Sequence, residues 1–114
     1  MRLAALPLAL LASVALANDP GPGRVVVSTT LEPGKVHEAC MKLESGDRRR
    51  YEWKSSAAAD FNIHYHRGNE VLYPEKRDAV KSWRGGFTAK SGEEYCWMWT
   101  ARTKPAKIEG WIDR

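Results

Sequence analysis

Asp60-Phe61-Asn62-Ile63-His64-Tyr65-His66 alternates apolar and polar side chains without a break. Successive side chains of an extended chain point to opposite faces, so Phe61, Ile63 and Tyr65 share one side and Asp60, Asn62, His64 and His66 the other. A helix would scatter the same residues around its circumference. The stretch is therefore predicted as a half-buried strand, with its aromatic and β-branched side chains turned toward a core.

The same period of two extends to both sides of it. Arg48 to Ser55 sets Arg49, Tyr51 and Trp53 against Arg48, Arg50, Glu52 and Lys54, and Glu94 to Ala101 sets Tyr95, Trp97 and Trp99 against Cys96 and Met98. Lys107 to Ile112 places Ile108 and Ile112 opposite Lys107, Glu109 and Trp111. Arg24 to Leu31 is rich in Val and Thr, and Val36 to Leu43 carries Cys40; both suit strands. Val71-Leu72-Tyr73 reads as a short strand stopped by Pro74, followed by a charged loop over Glu75 to Asp78, and Trp83 to Ala89 as a bend into another strand. Glu32-Pro33-Gly34, Glu44-Ser45-Gly46-Asp47, Arg67-Gly68-Asn69-Glu70 and Lys90-Ser91-Gly92-Glu93 are turn sequences between them. Ala57-Ala58-Ala59 is too short to propagate a helix and reads as a break. The expectation is an all-β protein: a single antiparallel β-sandwich or jelly roll of about seven to eight short strands over residues 24–114. Its expected core is Tyr51, Trp53, Phe61, Ile63, Tyr65, Leu72, Phe87, Tyr95, Trp97 and Ile108.

The chain has 114 residues and a formal net charge of +4, which bounds it to one mildly basic domain and excludes a multidomain enzyme. Residues 1–17 have the make-up of a secretory signal. Arg2 supplies the charge, Leu3 to Leu16 the apolar run, and Ala15-Leu16-Ala17 the small-residue exit. Asn18-Asp19-Pro20-Gly21-Pro22-Gly23 would then be a flexible arm, with no membrane anchor expected. Export to the periplasm or beyond places Cys40 and Cys96, the only cysteines, in an oxidising compartment, which predicts one disulfide. Closing a loop of that length stabilises the fold by roughly 4 kcal/mol.

From Cys40 to Ile112 the chain resembles the GOLD domain, the luminal β-sandwich of early-secretory-pathway cargo receptors. The matching stretches are Cys40, the strand with Tyr51, Asp60-Phe61-Asn62-Ile63, Val71-Leu72-Tyr73, and Phe87 through Glu94-Tyr95-Cys96-Trp97. The resemblance implies a sandwich closed by a Cys40–Cys96 bridge and a binding rather than a catalytic role, in a free-standing form without the coiled coil and membrane helix of those receptors.

Three groups of side chains are candidates for chemistry. His64 and His66 project from the same face of a strand about 7 Å apart, close enough to share one ion. His37, Asp60, Glu70, Met41 and Met98 are the candidates to complete such a site, with copper or zinc as the ion. Trp97 and Trp99 are candidate platforms for a sugar, in a chain with 5 tryptophans. Arg48-Arg49-Arg50 and the cluster Arg102, Lys104 and Lys107 are basic surfaces for an anionic partner in the envelope, although Asp47, Glu52 and Glu109 dilute them and export argues against nucleic acid. No Gly-x-Ser-x-Gly, His-Glu-x-x-His or Gly-rich phosphate loop is present, so no enzyme activity is expected; Asp60 and Glu70 are the carboxylate pair that a hairpin would have to bring together. Taken together, the sequence predicts an exported binding or accessory module for an envelope protein or glycan. Metal binding and inhibition of an envelope enzyme are the alternatives, and the basic charge disfavours basic targets such as most lysozymes.

Overall fold

The computed structural model describes residues 23–114; the leader expected at 1–17, and the expected arm except Gly23, lie outside the described residues. Six antiparallel strands build the domain: β1 (Val25–Leu31), β2 (Val36–Leu43), β3 (Arg48–Arg67), β4 (Glu70–Thr88), β5 (Glu93–Ala101) and β6 (Ala106–Ile112). β3 organises the rest. Its first half, Tyr51 to Ser55, pairs with β6, and its second half, Ala59 to His64, pairs with β5. β4 runs along its other edge over both halves. β1 extends the sheet beyond β6, and β2 extends it beyond β5. The result is a sheet folded into two layers, β1-β6-β3-β4 and β2-β5-β3-β4, joined by the bent β3/β4 hairpin.

The fold-over buries one face of each half against the other. Tyr51 and Trp53 from the first half of β3 both pack on Phe61 from the second, at ring-centroid distances of 5.5 and 5.3 Å. Trp97 meets Tyr51 edge-on at 6.0 Å, and Trp99 meets Trp53 at 6.2 Å. Edge-to-face contacts align the positive ring edge with the negative ring face, adding to the area buried. Phe61, Ile63, Trp97 and Ile108 are 0% exposed, and Val27, Leu43 and Ile112 close the core. Of the ten expected core residues only Tyr65 and Leu72 are half-buried. Both lie near the outer end of the β3/β4 hairpin, where the opposing layer ends.

The corner differs from the sequence expectation. Arg48–Ser55 and Asp60–His66 are one continuous strand, and so are Val71–Tyr73 and Trp83–Ala89, which leaves fewer and longer strands than expected. Ala57–Ala59 is a bend within β3 rather than a break. Lys54 faces Ser82 while Ala59 faces Val80, so β3 takes the longer path around the corner. The run Ser55-Ser56-Ala57-Ala58-Ala59 puts no bulky group on the bend, and Ser55 Oγ donates to the Ala57 carbonyl at 2.6 Å. Lys107 N–H donates to Ser56 Oγ at 2.9 Å, tying the corner to β6. Pro74 and Glu75–Asp78 lie within β4 instead of ending it. β4 is an edge strand there, and the register shift between Ile63 and Tyr65 takes up the residue that cannot donate. At the far end Gly68, at φ 62°, opens the two-residue turn between Arg67 and Glu70, a conformation that hairpin turns of this length require.

Ala79 stands at the corner of β4 with φ 56°, a left-handed conformation that costs an L-residue about 1–2 kcal/mol. Its N–H donates to Asp60 Oδ1 at 2.9 Å, which holds it there. Ala79→Gly keeps that hydrogen bond and removes the Cβ conflict. It is expected to raise stability by about 0.5–1 kcal/mol, read as a higher urea midpoint with an unchanged slope.

Candidate functional site

The outward face of the second layer carries the candidate site. In register, His64 of β3 stands beside Cys96 of β5, which stands beside Cys40 of β2; one step along, Asn62 stands beside Met98 and Met98 beside Glu38. Strand alternation therefore turns Glu38, Cys40, Asn62, His64, Cys96 and Met98 to the same side. Cys40 and Cys96 are joined as a cross-strand disulfide, as the cysteine count predicted.

His64 is only 4% exposed, although its strand face is the outer one. The His66 ring lies against it with centroids 5.4 Å apart, and the Tyr73 ring at 5.8 Å. Asn62 Oδ1 lies 2.7 Å from His64 Nδ1 and accepts its proton. On the other side of the ring, Glu38 Oε2 lies 3.1 Å from Nε2. Burial pushes the His64 pKa down; the Glu38 carboxylate opposes that shift and His66 adds to it. The ring is thus a buried imidazole flanked at both nitrogens, by the Asn62 amide oxygen at Nδ1 and by the Glu38 carboxylate at Nε2. Cys96 Sγ also lies within 4.8 Å of the Glu38 and His64 ligand atoms, but in the disulfide it is not a thiolate.

Only part of the expected metal set comes together here. His64, His66 and Met98 share the outer face. His37 and Met41 alternate to the inner face of β2, and His37 packs 6.0 Å from the Trp99 ring. Asp60 belongs to the corner, where Arg102 donates to it at 2.6 Å, and Glu70 lies at the far hairpin turn. Asp60 and Glu70 therefore do not approach each other. Trp97 and Trp99, at 0% and 1% exposure, are core side chains and present no face to a sugar. The reason is alternation again, since facing Cys96 and Met98 outward drives both indoles into the space between the layers.

Glu38 and Asn62 were not singled out from sequence. For Glu38 a signal existed: once Cys40 is bonded across to Cys96, the residue two before it must lie on the same face and one step along. The role of Asn62 follows only from the β3–β5 register.

The outward face of the first layer differs in character. Val26, Trp111, Glu52 and Arg84 form one row across the strands, and Ser28, Glu109, Lys54 and Ser82 the next. A groove of about 600 Å³ runs over them, bounded by Val26, Ser28, Lys54 and Trp111. Beside it Arg48, Arg50 and Arg84 surround a recess of about 310 Å³ over Gly85 and Gly86. Gly86 lacks a side chain, and the Arg48 guanidinium occupies the place its Cβ would take. Arg24 stacks 3.7 Å from the Trp111 ring centroid and donates to Asp113 at 2.9 Å. That ion pair, with Arg50 behind it, holds the Asp113 carboxyl below the usual carboxylate range. Arg49 of the basic run sits on the other face of β3 and donates to the Arg48 carbonyl at 2.9 Å, while Arg102 is paired with Asp60. Val26 is 56% exposed, an apolar side chain beside the arginines.

No family model matches the chain, and no curated protein does. Among solved structures it is similar to PliG of Aeromonas hydrophila, a periplasmic inhibitor of g-type lysozyme, with a TM-score of 0.58 at 12% identity, over 82% of this chain and 87% of that one. A de novo designed double-stranded β-helix aligns with a TM-score of 0.41 at 19% identity, over 78% of this chain and 96% of that one. The likeness to PliG is one of fold, and it spans more than four fifths of each chain.

Proposed function

We propose that this protein is an exported, non-catalytic module that binds and blocks an enzyme of the cell envelope. The observation that carries the reading is the outer face of the first layer. There the aromatic Trp111 and the exposed Val26 adjoin three guanidiniums, Arg48, Arg50 and Arg84, on a rigid sheet. Arg and Trp are the residue types that most often carry the binding energy of protein interfaces, and strands hold them in place at little entropic cost.

Three further features support it. The Cys40–Cys96 bridge fits an oxidising compartment, as does the leader read at residues 1–17. PliG, of similar fold, is a periplasmic inhibitor of a lysozyme. The resemblance to the GOLD domain points to the same class of role, binding rather than catalysis. Enzymes that cleave envelope glycans work with a pair of carboxylates flanking the scissile bond, and an arginine cluster is complementary to such a cleft. Without the leader and its Arg2 the module carries 18 − 1 = 17 Lys and Arg against 14 Asp and Glu, a net +3 that steers it toward an acidic target and away from a basic one.

The test is inhibition of purified peptidoglycan hydrolases, g-type lysozymes first, comparing acidic with basic enzymes. Stoichiometric inhibition is expected for an acidic target, with affinity falling as salt is added. The double reversal Arg48→Glu/Arg84→Glu is expected to weaken it at least 100-fold while leaving the melt unchanged, because both side chains are exposed. Inhibition that survives the reversal would move the interface off this face, and an inert protein across the whole panel would overturn the reading.

A further inference from the structure

We propose that Glu38, His64 and His66 form a site for one divalent transition-metal ion of the zinc and copper class, on the layer opposite the arginine face. The proposal does not depend on the inhibitory role.

The geometry is already that of a half-built coordination sphere. Ligand atoms each about 2.0–2.1 Å from a tetrahedral zinc stand about 3.3 Å from one another. His64 Nε2 and Glu38 Oε2 are 3.1 Å apart. Asn62 Oδ1, itself on a buried side chain, accepts a hydrogen bond from Nδ1–H at 2.7 Å, so in the neutral ring the Nε2 lone pair is turned toward the carboxylate. Two electron-rich atoms face each other there, and a cation between them satisfies both. A ligating histidine commonly has its second nitrogen fixed in this way by a carbonyl or carboxylate behind it.

His66 supplies the third donor. It lies two residues along the same face of β3, its ring is 5.4 Å from that of His64 and its side chain is exposed; a rotation of that side chain is what brings a nitrogen to the Glu38–His64 pair. Two histidines and a carboxylate leave a position open to solvent, a donor set used by zinc and by other transition metals. The disulfide fixes the spacing. It clamps β2 to β5 at Cys40 and Cys96, one step from Glu38 and directly beside His64, so the carboxylate and the imidazole are held in place by a covalent link rather than by loop conformation. While the bridge is intact, Cys96 is no ligand.

The experiment uses the oxidised protein, stripped of metal, titrated with Zn²⁺ and Cu²⁺ by calorimetry and with Co²⁺ by visible absorption. One ion per chain is expected, with histidine-type Co²⁺ bands and no thiolate charge transfer. His66→Gln and Glu38→Gln, both at exposed side chains, are each expected to weaken binding at least tenfold with an unchanged melt. Asn62→Ala is expected to weaken it 10- to 100-fold without removing a ligand. No binding by the oxidised protein, or equal binding in His66→Gln and Glu38→Gln, overturns the site. Binding that appears only after a dithiol reductant opens the bridge, with a thiolate-to-cobalt band, assigns the metal to Cys40 and Cys96 and overturns it as well. Should His64→Gln fail to fold, the two exposed variants still decide.

Discussion

Gly110→Ala is expected to destabilise the domain by at least about 3 kcal/mol and to lower its melting temperature by on the order of 15–20 °C. Gly110 lies on the inner face of β6, between Val27 of β1 and Trp53 of β3. A Cβ placed there would stand 2.2 Å from the Glu52 carbonyl oxygen, 2.6 Å from Trp53 Cβ and 2.7 Å from Trp53 Cα. These are main-chain atoms and the root of a buried side chain, so no rotamer change relieves the contact. β6 would have to separate from β3, which opens the first layer and displaces the Trp53 indole from Phe61 and Trp99. Gly86→Ala is the control. Its Cβ meets only the movable end of Arg48, and a change within about 1 kcal/mol is expected. Chemical melts of the two variants side by side check the claim; equal midpoints would mean that the β3–β6 spacing is not what the structure depicts.

Opening the Cys40–Cys96 bridge is expected to cost about 4 kcal/mol, which for a domain of this size is a drop in melting temperature on the order of 20 °C. The bridge spans 56 positions, enclosing the end of β2, all of β3 and β4 and the start of β5, so its loss frees the greater part of the unfolded chain. It also joins β2, an edge strand, to β5, and β2 contributes Leu43 to the core. Cys40 is exposed, so a dithiol reaches the bridge without prior unfolding. The double variant Cys40→Ala/Cys96→Ala reports the same loss without a reductant. A melt that neither treatment moves would show that the two layers hold without the covalent link.

Much of this was legible before the fold was known. The alternation of Asp60 to His66 assigns Phe61 and Ile63 to the core and His64 to the outer face, because a strand has only two sides. The same reasoning places Tyr51, Trp53, Tyr95 and Trp97 inside, and all four are buried. It did not separate core aromatics from ligand platforms. Trp97 and Trp99 have the spacing of either, and only the opposing layer, with Tyr51 on one indole and Trp53 on the other, decides for the core.

The corner was not legible for a different reason. Ser55 to Ala59 carries no hydrophobic period, so local pattern reads it as an interruption. Whether a strand continues through such a run depends on its neighbours, here β4 along one edge and the Ser56 contact to β6 on the other. Pro74 follows the same rule: a proline ends a central strand but is tolerated on an edge, and edge position is a property of the whole sheet.

By itself, then, the sequence determined the all-β class, the two faces of each strand, the single cysteine pair and most of the core. All of these follow from side-chain type and a period of two. The tertiary structure alone decided the joining of eight segments into six strands and the placing of Arg84 beside Arg48 and Arg50. It also decided the meeting of Glu38, Asn62 and His64 around one ring. Those outcomes depend on register between strands far apart in the chain, and register is set by how whole faces pack, which no local pattern encodes.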